Sequence, residues 1–562
     1  MIQKIKVGLQ TLLIEKDTLQ PSRQPLYYIL GSILLLVSGI KLYHGLSNTM
    51  DVQFADEAAY IRFGLDLFEQ MNRNWGPLYS VWYKCLSFFT TDVFKLYYLN
   101  FEITSIFIGI LLYIFLLRIS VKPVFALFIA FSVLVSDLNI SVWPRISHFC
   151  IVWCLLALIL ISFFRNNLYK CFVFTTVCLI NSYARPEFYL SFLIMTAVTA
   201  LLIFFERKSL QKKEVLSIGL AIIVMGILHL IFRFPSNDFF GYNRGVAAFY
   251  QHYAWNYKWR THGTFDAWLY WEDLAKKQFG DCNSMWCVIK TQPGIFISNT
   301  LFNIRTYFMQ LLKTASFVFP IGVFHGKKMQ LLLTVCCIIA FIILLIYQPS
   351  RKYFVEKIKG YRFYLLLLFC FITPTLMSCF AVFPRDHYLY LQMPFYILIF
   401  ISAFGFIFEK INLKPLYFIG FGVLLFLSTP NVQRYDFMKT TTDTHSMCNK
   451  KLVQYLATNF SDKPHTMFTN MPFVRGLLPT TFKELNTIFD KKKNIPFQHY
   501  LDSAQIDIVI LTPSTFRDPH INSDSTWLHF MKDYASFGFK RRDFTDCEMY
   551  LLTKDAPAST QK

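Results

Sequence analysis

The sequence predicts an α-helical polytopic membrane protein. It has about eleven transmembrane helices, amphipathic surface helices in its outer loops, and a small α/β domain on the outer side at its C-terminal end. Three observations predict this class. Apolar runs recur along most of the chain, only 16% of its 562 residues are charged, and basic residues collect in every second loop. Soluble domains carry about 25% charged residues, so the deficit is large. The chain divides into an N-terminal tail (1–25), a transmembrane domain (26–429) with long outer loops at 46–98 and 235–325, and a terminal domain (430–562).

A spanning helix needs about 20 mostly apolar residues. The candidates are 26–45, 99–117, 122–137, 147–164, 170–185, 188–205, 216–234, 326–347, 362–383, 389–408 and 413–429. The first begins near Tyr27 without a small-residue cleavage site, so it reads as a retained helix rather than a removed signal peptide. Orientation follows from charge. Lys4, Lys6, Lys16 and Arg23 share a side with Arg118 and Lys122, with Arg165 and Lys170, with Arg207 to Lys213, with Arg351 to Arg362, and with Lys410 and Lys414. Positive loops are cytoplasmic, which puts 46–98, 138–146, 184–187, 235–325, 384–388 and everything after 430 outside. The apolar stretch 301–324 would reverse the later loops if it crossed, so it reads as an interfacial or re-entrant helix.

The net charge of +20 invites a nucleic-acid reading. That reading fails because the Lys and Arg residues sit in short loops between spans and form no basic face with interleaved aromatics. The bilayer is the partner the composition requires. Within the first outer loop, residues 57–70 have apolar positions near helical spacing, as in an amphipathic surface helix. The second loop carries Trp255, Trp259, Trp268, Trp271 and Trp286, a density that suits an interfacial belt or a platform for sugar rings.

Beyond residue 430 the character changes. The pattern reads as a helix (445–459), a strand (465–470), another helix, a strand (506–512), a helix (525–536) and a final strand (548–553). Alternation of this kind predicts a largely parallel sheet. No glycine-rich phosphate loop opens any of its helices, which argues against nucleotide binding. Most of the 13 cysteines lie in apolar runs as small buried side chains. Cys282, Cys287, Cys448 and Cys547 lie in polar segments and are disulfide candidates if those segments face an oxidising compartment.

The residues that could carry chemistry start with Asp56 and Glu57, just after the first span. Asp suits the start of a helix, so a solvated capping pair is one reading. The other is a general base that takes a proton from a hydroxyl. Asp56, Glu57, Tyr60, Gly64, Pro77, Leu78 and Tyr79 together resemble the first outer loop of the GT-C superfamily of membrane glycosyltransferases, which includes the protein O-mannosyltransferases and the lipid A aminoarabinose transferases. The span layout, the long loop after the seventh span and the outward terminal domain resemble the same superfamily. The resemblance implies a donor sugar on polyprenyl phosphate or a related lipid carrier, an acceptor hydroxyl on a glycan, lipid or protein, inversion at the anomeric carbon, and Asp56 as catalytic base.

Some positions depart from that pattern. Trp75 and Gly76 stand where the superfamily often has His and Pro. The second outer loop reads Ser141 to His148 with Asp137 only at its start, so a second carboxylate and a metal site built with it lack support. No cofactor is indicated, and a divalent cation is left open. The stretch from Pro384 to Pro394 resembles an Arg-Tyr-Leu-Leu-Pro segment of the superfamily. Arg385 is the first candidate for gripping the donor phosphate, because a guanidinium binds phosphate bidentately and keeps its proton. A residue snorkelling to the headgroups is the plainer alternative. His387 could add a second donor.

Arg185, Pro186 and Glu187 join two spans with almost no loop, as an internal ion pair or as a cavity wall touching the donor. Arg145 beside Trp143 reads similarly, and Lys84 is a further cavity candidate. Arg244, His252, Lys258, Arg260, His262, Asp266, Glu272 and Asp273 populate the second outer loop without a ranking among them. A transporter or flippase for a lipid-linked sugar is the rival from another class. A polysaccharide polymerase or ligase using a lipid-diphosphate donor is the second. Usage rich in Phe, Ile, Lys and Asn fits an AT-rich bacterial genome, and so an inner membrane with the site and terminal domain in the periplasm.

Overall fold

The computed structural model describes residues 25–554 except 55, 70, 72–75, 208–209, 236–237, 240–241, 315–334, 336–337, 344–345, 436–446, 487–495 and 545–546. Among the described residues six helices are long and apolar enough to cross a membrane. They include α1 (Pro25–Tyr43), α4 (Val93–Arg118), α9 (Phe188–Glu206), α10 (Lys212–Phe232), α15 (Gln348–Ala381) and α16 (Asp386–Phe408). Three shorter apolar helices, α5 (Pro123–Leu134), α7 (Ile146–Ile161) and α17 (Pro415–Ser428), pack among them, with the five-residue α6 (Asp137–Ser141) between α5 and α7 in sequence and α8 (Asn167–Ser182) beside α7. The expected span at 326–347 falls largely outside the described residues, as do the N-terminal tail, Trp75 and the end of the chain.

Helix α15 runs 34 residues and begins well before the expected 362. Arg351, Lys352, Lys357 and Lys359 lie inside it rather than in a loop, because Lys and Arg are good helix formers and a helix can continue beyond its apolar part. The apolar stretch at 301–324 is described only up to 314, as the end of α14 (Pro293–Thr314). Tyr307 of α14 is buried against Cys379 and Leu389.

The stretch 46–98, read from sequence as the first outer loop, contains α2 (Asp56–Leu65) and α3 (Pro77–Leu86). Helix α2 does not lie on the surface as its periodicity predicted. It is buried from two sides, with Glu57, Ala58, Ala59, Tyr60, Ile61 and Gly64 all enclosed. Glycines make this possible. A Cβ on Gly64 would meet Tyr83 Cβ at 2.5 Å and Ser80 O at 2.8 Å, and one on Gly476 would meet Ala58 O at 2.3 Å. Helix α3 packs against one side, and the terminal domain presses on the other.

The stretch read from sequence as the second outer loop forms a short hairpin, β1 (Asp238–Phe239) with β2 (Tyr242–Asn243), then α11 (Arg244–Thr261), α12 (Ala267–Phe279), α13 (Met285–Thr291) and α14. It has its own core of Val246, Phe249, Tyr250, Tyr253, Trp271 and Phe279. The Cys282–Cys287 disulfide closes it.

The terminal domain opens with α18 (Cys448–Asn459) and carries a five-stranded sheet. Its strands are β3 (His465–Thr469), β4 (Phe482–Asn486), β5 (Ile508–Leu511), β6 (Lys540–Phe544) and β7 (Met549–Thr553), in the order β4-β3-β5-β7-β6. The sheet is mixed rather than largely parallel. β3 pairs parallel with β4 and β5, whereas β7 pairs antiparallel with β5 and β6. The unforeseen β6 explains the difference: it forms a hairpin with β7, so β7 returns antiparallel between β5 and β6, whereas the unforeseen β4 adds a parallel pair. β6 is an edge strand reading Lys-Arg-Arg-Asp-Phe with four exposed positions, and β4 carries Lys483 and Glu484, so neither shows an apolar run.

Docking to the membrane domain is specific. Helix α18 has no side-chain cap of its own. The Asp51 carboxylate accepts from the backbone N–H groups of Asn449 (2.8 Å) and Lys450 (3.0 Å), taking over two donors the helix end leaves open. Asn449 Nδ2 donates to Val52 O at 2.8 Å, and Arg62 donates to Leu478 O at 3.1 Å. The Cys448–Cys547 disulfide ties the same helix to the β6–β7 hairpin.

Candidate functional site

Asp56 and Glu57 are neighbours with opposite surroundings. Glu57 is fully buried. Its Oε1 accepts from the hydroxyls of Tyr79 and Tyr83 and from Asn100 Nδ2 at 3.1 Å, and its Oε2 accepts from the Arg145 backbone N–H at 3.0 Å. Every donor comes from a different turn or element: α3, α4 and the start of α7. Burial raises its carboxyl pKa, and the tyrosine and backbone hydrogen bonds pull it back. Both oxygens are occupied by protein donors, so the geometry gives Glu57 a positioning role rather than contact with substrate.

The Gly76-Pro77-Leu78-Tyr79 stretch completes that cage. Gly76 sits at φ +53°, caps α3, and leaves no space for a Cβ, which would meet Tyr60 Cε1 at 2.7 Å and Ala184 O at 2.9 Å. Pro77 takes the first helical position. Leu78 N–H donates to Tyr183 O at 3.2 Å, which pins the short turn carrying Arg185. Tyr79 then reaches Glu57, and Tyr60 packs edge-on against Tyr79 with centroids 5.0 Å apart.

Asp56 opens α2 half-buried, and its carboxylate makes no hydrogen bond among the described residues. Burial raises its pKa, opposed by the positive charges of Arg244, Arg385 and Arg185. These arginines come from three separate places: the start of α11, the residue before α16, and the turn between α8 and α9. The Arg385 guanidinium makes no hydrogen bond or ion pair among the described residues. Arg185 is held by Glu187 at 2.6 Å and by Ser147 Oγ at 2.7 Å, beside the Tyr388 ring. Burial disfavours both charges of that pair, but their attraction wins. The Arg185 pKa stays raised, and the Glu187 pKa stays low with further help from Arg244. His387 is buried within the field of Arg185 and Arg385.

His252 of α11 joins the cluster near Arg385. Its Nδ1 lies 2.7 Å from Ala248 O, and its ring stacks on Phe383 at 6.0 Å. Burial, reinforced by Arg385, pushes its pKa down to about 4, so the ring is neutral at neutral pH. Further along α11, Asn256 donates to Asn303 Oδ1 at 2.9 Å. Asn303 Nδ2 in turn donates to the carbonyls of Phe380 (3.0 Å) and Val382 (2.9 Å) at the end of α15. The helix that begins with Arg244 is thereby latched to the segment that delivers Arg385.

Asp56, Tyr60, Arg185, Glu187, Arg385 and His387 are thus brought together, with Tyr79 one ring away. Three sequence candidates stand elsewhere. The Arg145 guanidinium points inward, donating to Asn139 O at 2.9 Å, Phe101 O at 3.2 Å and Ser105 Oγ, and lies 3.8 Å from the Phe101 ring. It holds backbone carbonyls of α4 and of the helical turn 137–141 and is not offered to a phosphate. Trp143 is half-buried beside it with its indole N–H enclosed. Lys84 caps the far end of α2, donating to Leu65 O at 3.3 Å and covering Phe68 at 5.0 Å. Among the described residues no group of three or more His, Cys, Asp or Glu could hold a metal ion.

Arg244, His252 and Asn100 are the residues that sequence reasoning left unranked or missed. Two carried a signal. A cation at the first position of a helix opposes the helix dipole, so Arg244 marks a place where negative charge is expected. Asn100 is a polar side chain at the head of an apolar run, where an unpaired amide is costly.

The fold is that of a helical membrane protein with a small mixed α/β domain. No protein-family model matches the chain, and the search of curated proteins returns no match.

Proposed function

We propose that the protein is an inverting glycosyltransferase that moves a sugar from a polyprenyl-phosphate donor to an acceptor hydroxyl. The observation that carries this reading is the pairing of Asp56, a half-buried carboxylate without a hydrogen-bonding partner among the described residues, with three converging arginines. The acceptor hydroxyl gives its proton to Asp56 while its oxygen bonds to the anomeric carbon. The bond from that carbon to the phosphate oxygen breaks, and the polyprenyl phosphate leaves with the electron pair. Arg385, Arg244 and Arg185 stabilise the charge that builds on the leaving oxygen, acting as preorganised donors in a site of low dielectric. A raised carboxyl pKa makes Asp56 a stronger base once it is ionised.

Charge favours the monophosphate over the diphosphate donor. Three arginines against Asp56 and Glu187 leave one net positive charge with His252 neutral, which balances the single charge of a sugar phosphodiester. The same reading takes the eleven-span layout, with the second outer loop and the terminal domain on the face where Asp56 lies. Disulfides at Cys282–Cys287 and Cys448–Cys547 suit a periplasmic face of a bacterial inner membrane.

The test is transfer from radiolabelled polyprenyl-phosphate sugars to an envelope extract by wild type and Asp56→Asn in nanodiscs. Loss of a general base costs about 10²–10⁴ in turnover, with donor binding retained. Asp56→Asn turnover near wild type would remove Asp56 as the base. Movement of the donor lipid across the bilayer without any glycosyl product would replace the reading with a transporter.

A further inference from the structure

The second outer loop carries an aromatic surface that the transfer step does not use. His252, Trp255 and Trp259 fall at spacings of three and four residues and share one face of α11. Trp255 lies 5.5 Å from Trp259 and 6.0 Å from Trp268 between ring centroids. Trp259 lies 5.5 Å from Phe383, and His252 lies 6.0 Å from the same ring. The rings meet at 42° (Trp255–Trp259), 48° (Trp259–Phe383) and 73° (Trp255–Trp268), which makes a stepped shelf open at Trp259 (47% exposed) and Trp268 (44% exposed). Its inner end is Phe383, two residues before Arg385. From His252 to Trp259 the shelf extends about 10 Å along the helix, at about 1.5 Å per residue.

Its rim is polar. Lys258 Nζ lies 5.5 Å from the Trp255 ring centroid, and Arg260 donates to Ser298 Oγ at 2.9 Å on the exposed side. Exposed ring faces flanked by cationic donors suit a pyranose ring, which has an apolar C–H face and hydroxyls at its edge. Two features separate this surface from an interfacial belt. The helices that carry it, α11 to α13, have a core of their own. The shelf also runs inward to the arginine cluster instead of around the outside of the spans, since α11 also carries Arg244, whose charge acts on Asp56. Continuity with the candidate site therefore selects the occupant.

We propose that Trp255, Trp259, Trp268 and Phe383 form an acceptor subsite for a glycan chain, whose sugar rings stack along the shelf while its terminal hydroxyl reaches Asp56. This rests on the glycosyltransferase reading and deepens it: the acceptor is an oligosaccharide or polysaccharide rather than a lipid or a protein.

The experiment measures binding and transfer separately. Fluorescently labelled neutral tetrasaccharides (α-mannotetraose, maltotetraose, cellotetraose and xylotetraose) are titrated by anisotropy, up to millimolar concentration, into the full chain in nanodiscs. Wild type, Asp56→Asn, Trp259→Ala and Trp259→Phe are compared, and each is also assayed for transfer to the tetrasaccharide that binds. The expected result is binding by wild type and Asp56→Asn alike, affinity at least about tenfold weaker for Trp259→Ala, and rescue by Trp259→Phe. The same Trp259→Ala change should raise KM for the glycan and leave kcat little changed. The subsite is overturned if no tetrasaccharide binds wild type, or if Trp259→Ala binds as wild type does. Glycan binding that depends on Trp259, without transfer from any donor, would keep the subsite and remove the transferase reading. Transfer to a lipid acceptor unaffected by Trp259→Ala would do the reverse.

Discussion

Glu57→Gln separates the two neighbouring carboxylates by their roles. The substitution keeps the shape of the side chain and removes its charge. With its carbonyl turned to Tyr79, Tyr83 and Asn100, the new amide faces the Arg145 N–H, donor against donor. Hydrogen bonds to a charged acceptor are worth about 1.5–3 kcal/mol and neutral ones about 0.5–1.5, so the three retained bonds together lose about 3 kcal/mol. The unsatisfied Arg145 N–H adds about 1–3 kcal/mol. Relief from burying the charge offsets the weakened bonds, since burial outweighs them in raising the carboxyl pKa. The net expectation is a destabilisation of about 1–3 kcal/mol, set by the unsatisfied Arg145 N–H. It is read as a lower apparent unfolding temperature in one detergent, with transfer reduced but measurable.

The effect should depend on pH. The folded-state pKa of Glu57 lies above its ordinary 4.5, so the folded protein holds this proton more tightly than the unfolded chain. Stability contributed by Glu57 therefore falls as pH rises through the window between 4.5 and the raised value, and the gap to Glu57→Gln widens on acidification. Unchanged stability together with abolished transfer would refute the cage and make Glu57 a reacting group.

Three further outcomes follow from the geometry. Activity should fall on the acid side as Asp56 takes up its proton, with a midpoint above the ordinary 3.8. Arg244→Ala should move that midpoint higher, since one of the charges favouring the ionised form is gone; an unmoved limb in a pH–rate profile would place Arg244 outside the site. Arg385→Lys loses bidentate contact with the phosphate, about 1.5–3 kcal/mol or roughly ten- to hundredfold in donor affinity measured by titration, and unchanged affinity would assign the grip elsewhere. Asp51→Ala leaves two backbone donors of α18 without an acceptor, at about 1–2 kcal/mol, and should speed release of the terminal domain in limited proteolysis. Digestion at the wild-type rate would mean that the cap does not hold the domain.

Much of the scaffold was legible because apolar runs report helices directly, and the structure places helices over most of them within a few residues of the sequence reading, six of these, among the described residues, being long and apolar enough to cross a membrane. Charged segments were less legible. The basic stretch before 362 reads as a loop by composition and is helix, because helix propensity and hydropathy are independent properties. β6 was invisible because an edge strand is protected by the same charges that erase its apolar pattern. At the site, Asp56 and Arg385 could be nominated from residue type and position. Arg145 could not be distinguished from them, since only contacts show whether a guanidinium is offered outward or consumed by carbonyls within. Arg244 lies 188 residues from Asp56 in sequence, a pairing that one chain without relatives does not reveal.

The contact between Gly476 and Ala58 has a consequence for the order of synthesis. Helix α2 carries the proposed base, yet one of its two walls is supplied by residues made more than 400 positions later; the Arg62 to Leu478 bond spans 416. At about 5–20 residues per second, the helix waits about 20–80 s on the ribosome's clock before that wall exists. Cys547, the disulfide partner of Cys448 on α18, comes later still. A chain of this design stays unassembled around Asp56 until most of it has been translated, so a product truncated before Gly476 would carry the apolar helices with α2 open on one side.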